Sequence, residues 1–510
     1  MSTLQDDRHR YINARDNMRP TTIDFLRCPF CASSIQLNPG CVDDEVGVSF
    51  GVTICAGCAY EFPIVGGVLI IAEPGQLIGV EAEVPAFLSG RGVTVRTLCR
   101  LIRDAKHTEA FSRLLNPAAP GADLLARPDS RGIAVGTAGI SDMVRPDPHR
   151  KPRIRPHMQG RLNRLSGERL LSRARRRIGR YLLDNQSGLT ALDAMDLYMA
   201  RYSRAETAVH FAFSFGQPRH LAALAVASVI KERGGPILDL ACGPGHLTHY
   251  FSTGSDRPVV GVDRNFFRLW VARNFVASGA DFVCQWVDRP LPFRTGSFES
   301  AFCSDAFHYF LNKAGCLREA RRVLAPDGLI GIVRFGNAAQ EPREGYELTV
   351  AGYAELFGEI PHLLLGEDEL VASYLRRRGP DLRRRETPGE LEDQKWLTAV
   401  LSAEESSFRE YGPFCDWPHA GGRLVLNPIY LMESMSPSGD LTLRFEFPSE
   451  WYEFENAGYR EYAPDSVDVP RDVLTALRAR DRTEAVQELI DRFVIVGVPD
   501  RYMWERLPDV

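Results

Sequence analysis

The chain lacks a long apolar run. Its longest stretches, such as Phe62 to Ala72, are too short to cross a bilayer. The first residues, Met1 to Arg10, have no apolar core for a secretory signal. Both absences lead to the expectation of a cytoplasmic protein with no membrane partner. Lysine is scarce, five in 510 residues, so the basic side chains are nearly all arginine. The net charge of −5 excludes a polyanion binder that works by bulk charge. Eleven cysteines in a chain this long do not make a disulfide scaffold, and a reducing compartment leaves them free to hold metal. With 44% hydrophobic and 25% charged residues, the rest is an ordinary globular composition, long enough for two or three domains.

What is present begins with cysteine. Cys28-Pro-Phe-Cys31 and Cys55-Ala-Gly-Cys58 form two Cys-x-x-Cys knuckles with 23 residues between them. Each knuckle sets two thiolates on one tight turn, and two turns complete a tetrahedral site for zinc. A thioredoxin-like redox motif would need one pair followed by a helix. With all four positions filled by cysteine, the metal is expected to be structural, and so small a unit would need it to fold. Cys41 is surplus to the set.

The second feature is Ile237-Leu238-Asp239-Leu240-Ala241-Cys242-Gly243-Pro244-Gly245-His246-Leu247, an apolar strand that turns through glycines into a helix. A second strand, Val259-Val260-Gly261-Val262, ends in Asp263. Gly243 and Gly245 permit a tight turn and close approach of a ligand to the backbone. An acid at the end of the next strand suits a ribose diol. The dinucleotide fingerprint has three glycines, and here the first is Ala241, so a pyrophosphate is disfavoured. Asp281 to Asp288 reads as a third strand ending in an acid, Phe298 to Asp305 as a fourth, and Leu329 to Phe335 as a fifth after a helix ending at Pro326-Asp327-Gly328. This alternation predicts an α/β fold, a doubly wound Rossmann-like sheet.

The Asp-Leu-Ala-Cys-Gly-Pro-Gly form and the acids that follow resemble class I S-adenosylmethionine-dependent methyltransferases, over roughly residues 220–336. The resemblance implies that Asp239, Ala241 and the Gly243–Gly245 turn hold the methionine moiety of S-adenosylmethionine. It implies Asp263 for the ribose and Asp288 for the adenine amine. Ser304 and Asp305 would lie where acceptor meets donor, and His308 could act as a base. The cysteine knuckles, with Tyr60-Glu-Phe-Pro-Ile-Val-Gly-Gly-Val-Leu-Ile-Ile after them, are similar to the small zinc-ribbon activator subunit of tRNA, rRNA and release-factor methyltransferases. They are also similar to the ribbon fused to some bacterial rRNA guanine methyltransferases.

Four regions are expected: a zinc ribbon over 1–75, a helical and arginine-rich connection over 76–195, the S-adenosylmethionine-binding core over 196–340, and over 341–510 a helical insertion with C-terminal strands completing or capping the core. Arg145 to Arg180 holds thirteen Arg or Lys against Asp147 and Glu168, read either as an RNA contact or as a solvated linker with an amphipathic helix. Arg376-Arg377-Arg378 and Arg383-Arg384-Arg385 read as an exposed loop. The aromatics Tyr198, Tyr202, Phe211, Phe213 and Phe215 lie where related enzymes cover the cofactor. Arg423–Glu433 and Asp440–Phe447 read as a hairpin turning at Ser436-Pro-Ser-Gly and supplying antiparallel edge strands to the sheet. Trp451, Tyr452, Phe454, Tyr459 and Tyr462 line a substrate site or form core.

The fourth strand carries Ser304-Asp305-Ala306-Phe307, not the Asn/Asp-Pro-Pro-aromatic motif of base amino-methyltransferases. The leading expectation is methyl transfer to an O, N or C acceptor on a small molecule or peptide. The alternatives are an rRNA or tRNA methyltransferase gripping RNA through the ribbon and arginines, and a non-catalytic binding protein. The acceptor and the oligomeric state are open.

Overall fold

A computed structural model describes residues 18–38, 47–78, 93–115, 175–199, 211–340, 345–383, 385–414 and 422–503. Most of Arg145–Arg180, together with Cys41 and Tyr202, lies outside the described residues, as does the side chain of Tyr198.

Four short strands open the chain: β1 (Ile35–Leu37), β2 (Phe50–Cys55), β3 (Glu61–Val65) and β4 (Val68–Ile70). They pair antiparallel in sequence order. A two-stranded ribbon of β5 (Leu77–Ile78) and β6 (Val93–Thr94) leads into the helix Val95–Arg103, whose first turn is capped by the Thr94 side chain. The core follows with β7 (Ile237–Leu240), β8 (Val259–Asp263), β9 (Asp281–Cys284), β10 (Phe298–Ser304) and β11 (Leu324–Gly336), then β12 (His362–Gly366) and β13 (Trp396–Ser402).

Among the described residues these strands make one eleven-stranded sheet in the order β1-β2-β3-β4-β9-β8-β7-β10-β11-β13-β12. From β4 to β11 the neighbours are parallel, and β13 and β12 are antiparallel. Strand order reverses between β7 and β10, so a crevice opens outside their carboxyl ends, where doubly wound sheets bind ligands.

The cysteine-bearing strands are therefore not a free-standing unit. β4 lies in register on β9, with Val68 opposite Phe282, Leu69 opposite Val283 and Ile70 opposite Cys284. Alternation then sends Val68 and Ile70 into the core on one face of the sheet, and Leu69 and Ile71 into the core on the other. Each such buried aliphatic contributes roughly 1.5–3 kcal/mol. The turn before β4 fits because Gly66, at φ +55°, has no Cβ; one would come within 2.8 Å of the fully buried Trp270. At the other end of the seam Asp281, fully buried, accepts from Arg19 Nε at 2.7 Å and from Thr22 Oγ1 at 2.5 Å. The exposed edge that β9 would present is thereby covered by the chain's own N-terminal strands.

The expectation for the far edge is corrected. The strands that extend β11 come from the segment read as helical and polar, as β13 and β12. Trp396-Leu-Thr-Ala-Val-Leu-Ser402 and Leu363-Leu364-Leu365 are continuous apolar runs, the pattern of strands covered on both faces. The expected hairpin exists, as β15 (Tyr430–Met435) and β16 (Leu441–Phe445), but it joins β17 (Ser466–Val469) in a separate three-stranded sheet. β14 (Arg423–Leu426) pairs with β18 (Ile495–Val498). Beyond Tyr430, β15 is exposed along its whole length, which a place inside the main sheet would not allow. The helix expected to end at Pro326-Asp327-Gly328 ends at Val323, and β11 already includes those three residues. Residues 175–184 are helical, with Ile178 and Leu182 buried, as the amphipathic reading requires.

Candidate functional site

One half of the site, where the sequence leads one to expect the donor, is built by the turn after β7. Ala241 sits at φ +55°, Gly243 at +53° and Gly245 at +82°, all left-handed. Ala241 accepts this conformation at the cost its Cβ imposes. Gly245 cannot carry a Cβ, because Ala272 Cβ would lie 2.8 Å away. Gly243 is the opposite case: a Cβ there would meet nothing within 4 Å, so the loop faces open space. The Asp263 carboxylate joins the two strand ends, accepting from Gly243 N–H at 3.0 Å and from Asn265 N–H at 2.7 Å. Asp239 is buried within β7 and accepts from Thr248 Oγ1 at 2.5 Å. Burial pushes its carboxyl up to about 7, the Thr248 hydrogen bond opposes the rise, and the nearby Asp263 charge adds to it.

One side of the turn is closed by aromatics. His246 Nε2 lies 2.8 Å from Tyr502 Oη, and the Tyr502 hydroxyl donates to the Phe211 carbonyl. A phenol has one hydrogen, here given to Phe211, so the neutral His246 imidazole must donate its Nε2–H to the Tyr502 oxygen. Burial holds His246 well below its ordinary pKa. Phe215 meets both rings edge-on, at 5.5 and 5.1 Å between centroids. Phe211 and Phe215, both buried, thus pack on His246 at the end of the turn. Tyr502, from the end of the chain, gave no signal in the sequence.

Asp288 is not brought to this half. β9 ends at Cys284, four residues before it, and the Asp288 carboxylate accepts from Asn312 N–H at 3.1 Å. It therefore tethers the start of the helix Lys313–Val323.

The other half, where the acceptor is expected, lies at the ends of β10 and β11. Ser304 closes β10 opposite Val333, and Asp305 follows at φ +52°. Across from it, where β11 bulges between Ile332 and Phe335, Arg334 stands at φ +54°. Two neighbouring strands each hold a non-glycine residue in a strained conformation, a feature that clusters at functional sites. Their side chains meet, with Arg334 Nε 3.4 Å from Asp305 Oδ1. Arg219 Nη1 reaches the other Asp305 oxygen at 3.3 Å. Arg334, almost wholly buried, also pairs with Glu367, lies 3.7 Å from Glu455, and covers the Trp396 ring at 4.2 Å. Lys395 reaches Glu455 at 3.5 Å. Burial raises the Glu367 carboxyl against the pull of Arg334.

His308 is buried beside this network, 5.6 Å from Trp396 between ring centroids. Desolvation lowers its pKa, so it is neutral at pH 7. Arg219, Arg334, Glu367, Lys395 and Glu455 were not legible as site residues. The aromatic patch divides: Tyr452 and Tyr459 are core, while Trp451 and Phe454 reach the surface.

The four cysteines converge. Their sulfurs lie within 4.8 Å of one another, with Cys28 Sγ 3.7 Å from Cys58 Sγ and Cys31 Sγ 3.3 Å from Cys55 Sγ. The two knuckles repeat one geometry. Ala32 N–H donates to the Cys28 carbonyl at 2.9 Å and Ala59 N–H to that of Cys55 at 3.1 Å, each alanine left-handed. Four thiols at this spacing fit a tetrahedral metal with bonds of about 2.3 Å.

Residues 238–332 match the family model described as a methyltransferase domain. Those residues are a methyltransferase domain. No curated protein matches it. Among solved structures it is similar to YcgJ of Bacillus subtilis, at 18% identity over 36% of this chain and 99% of that one, with a TM-score of 0.27. It is similar to a chain in the complex of the Haloferax volcanii Trm112 methyltransferase activator and the methyltransferase named with it, at 18% identity over 37% and 91%, with a TM-score of 0.28. The plantazolicin methyltransferase BpumL, in complex with a triazolic desmethylPZN analog and SAH, is similar at 18% identity over 36% and 84%, with a TM-score of 0.27. No helix of the described residues is long and apolar enough to cross a membrane.

Proposed function

We propose that this methyltransferase transfers the methyl of S-adenosylmethionine to an acceptor on a small molecule or peptide. The donor would lie on the turn after β7 and the acceptor at the ends of β10 and β11. The observation that carries this reading is the placement of the strained Asp305–Arg334 pair across the strand reversal from the open face of Gly243. The donor brings a methyl group already activated on a sulfonium. The protein therefore orients, desolvates and, where the acceptor must lose a proton, supplies a base.

Asp263 holds the ribose diol, using carboxylate lone pairs that Gly243 and Asn265 leave free. Asp239, Ala241 and the Gly243–Gly245 turn hold the methionine end, where a cationic ligand favours the ionised form of Asp239. Ser304 and Asp305 border the acceptor, and His308 is the base. The four cysteines hold zinc as a structural ion. Isothermal calorimetry with S-adenosylmethionine tests the donor site: micromolar binding is expected, and no binding would overturn it.

The RNA reading gains nothing from the described residues. Arg176 lies 3.6 Å from Glu109, Arg377 and Arg383 both pair with Asp381 and Glu410, and Arg378 pairs with Asp491. These arginines are neutralised by acids of this chain. A salt-sensitive gel shift with RNA, lost on neutralising Arg173–Arg177, would reverse this judgement.

A further inference from the structure

The acceptor half holds three side-chain atoms that are buried without a hydrogen-bond partner among the described residues: Glu367 Oε2, Arg334 Nε and His308 Nδ1. All three residues are more than nine-tenths buried. They belong to one cluster, since Glu367 pairs with Arg334, and both Arg334 and His308 lie against Trp396. Arg334 Nε at least faces the Asp305 carboxylate at 3.4 Å, whereas burying Glu367 Oε2 and His308 Nδ1 unpaired is unfavourable, so these two mark a place for a ligand. The rim is different in kind. Tyr309 lies against His308, with ring centroids 4.1 Å apart and planes tilted by 48°, and is half exposed; Phe454, 62% exposed, lies 4.3 Å from Lys395 Nζ, next to Trp396.

We propose that Glu367, Arg334 and His308 form the floor of an acceptor site for an aromatic hydroxyl that carries a second hydrogen-bond donor beside it. This deepens, and rests on, the reading of the site given above. The unsatisfied atoms select the class. His308 Nδ1 takes a proton and Glu367 Oε2 takes a hydrogen bond, so the acceptor offers two donors. An aromatic amine carries its hydrogens on one nitrogen and lacks the separate second donor that serves Glu367 while the reacting group serves His308. A carboxylate needs no base and has no hydrogen for Glu367. The exposed rings of Tyr309 and Phe454 suit a planar body.

In the transfer the acceptor oxygen forms a bond to the methyl carbon as the carbon–sulfur bond breaks. That electron pair stays on sulfur, leaving a neutral thioether, and the hydroxyl proton passes to His308 Nδ1. The resulting imidazolium is stabilised by the charge of Asp305. The acceptor reaches the three shielded atoms by displacing the helix Glu450–Asn456, whose Glu455 supplies the third carboxylate around Arg334.

Catechol, phenol, aniline and benzoate with labelled S-adenosylmethionine are the test. Catechol should be O-methylated, phenol at least about tenfold more slowly, and aniline and benzoate not at all. Glu367→Gln should lower catechol kcat/KM about tenfold and shrink the catechol-to-phenol ratio below about threefold, with the affinity for S-adenosylmethionine unchanged. Calorimetry on protein saturated with S-adenosylhomocysteine should show catechol binding weakened about tenfold by the same change. If Glu367→Gln fails to fold, Glu367→Asp, which keeps the charge beside Arg334 and withdraws it by one methylene, makes the same comparison. Methylation of aniline or benzoate overturns the proposal. So does an unchanged catechol-to-phenol ratio in the variant, or no catechol methylation by a wild type that binds the donor. Failure of the wild type to bind S-adenosylmethionine marks instead the failure of the donor-site reading.

Discussion

The donor and acceptor halves of this site are made in different ways. The donor half is local: Asp239 to Asp263 spans one strand, a turn, a helix and the next strand, and Asp263 bonds directly to the turn. The acceptor half is assembled from five places in the chain, with Arg219, Asp305, Arg334, Glu367 and Glu455 meeting only in the fold. The proposed donor half is also braced from outside the domain by β4 on β9, and from within it by Gln285 N–H on the Asp263 carbonyl at 2.9 Å. The proposed donor half therefore depends on one local segment, and the proposed acceptor half on elements that only the fold brings together.

The largest effect should come from breaking the local half. Asp263→Ala removes the carboxylate that joins the two strand ends, and should weaken S-adenosylmethionine binding about 100-fold by calorimetry. Wild-type affinity in this variant would show that the ribose lies elsewhere. Next comes the brace. Stripping the proposed zinc with a chelator, or replacing Cys28 and Cys55 by serine, should loosen β1–β4 and expose the edge of β9. Because both cores run across this seam, the whole sheet should melt in one transition, lower by on the order of 10 °C. A separate early transition that leaves donor affinity intact would show that the ribbon is a mere appendage.

The same division explains what could be read from the sequence. Asp239, Gly243, Gly245 and Asp263 are legible because a turn that needs positive φ and an acid at a strand end are local requirements. The four cysteines are legible because metal geometry fixes their spacing in pairs. Arg334 gave no signal: it lies inside an apolar strand, and the bulge that turns it toward Asp305 is set by the pairing of β11 with β13. Glu367 and Glu455 look like ordinary surface acids on polar helices until Arg334 is placed between them. The run Trp396 to Ser402 did carry a signal, continuous apolarity over strand length, but the polar segments around it drew the reading toward helix. Asp288 shows the limit of motif order, since β9 stops short and leaves it to bind a backbone N–H.

A smaller effect sharpens the comparison from the acceptor side. Arg334→Met keeps the bulk against Trp396 while leaving Glu367 and Glu455 without their shared cation. It should lower acceptor turnover about tenfold and leave donor affinity within about twofold. An equal loss of donor binding would mean that the two halves are not independent. The reverse control is Ser304→Ala, where loss of donor affinity would move that residue to the donor half.

The smallest effect is on stability, and it separates Asp239 from its neighbours by sign. His220 and His249 are buried neutral, with pKa values held by desolvation at about 3 and about 4. Their ordinary value is near 6.5, so the unfolded chain takes up their protons first, and they make the protein less stable as the pH falls from about 6.5 to about 4. Asp239 acts oppositely over nearly the same range. Its folded value of about 7 lies above the unfolded one, so the unfolded chain releases its proton first, and stability is lost as the pH rises from about 4 to about 7. Asp239→Asn removes that second loss. Without ligand, the variant should match the wild type near pH 4 and exceed it at pH 8, while binding S-adenosylmethionine more weakly. Urea unfolding across that range measures the difference. A variant less stable than the wild type at pH 8 would mean that the Asp239 carboxylate serves the fold and not the donor.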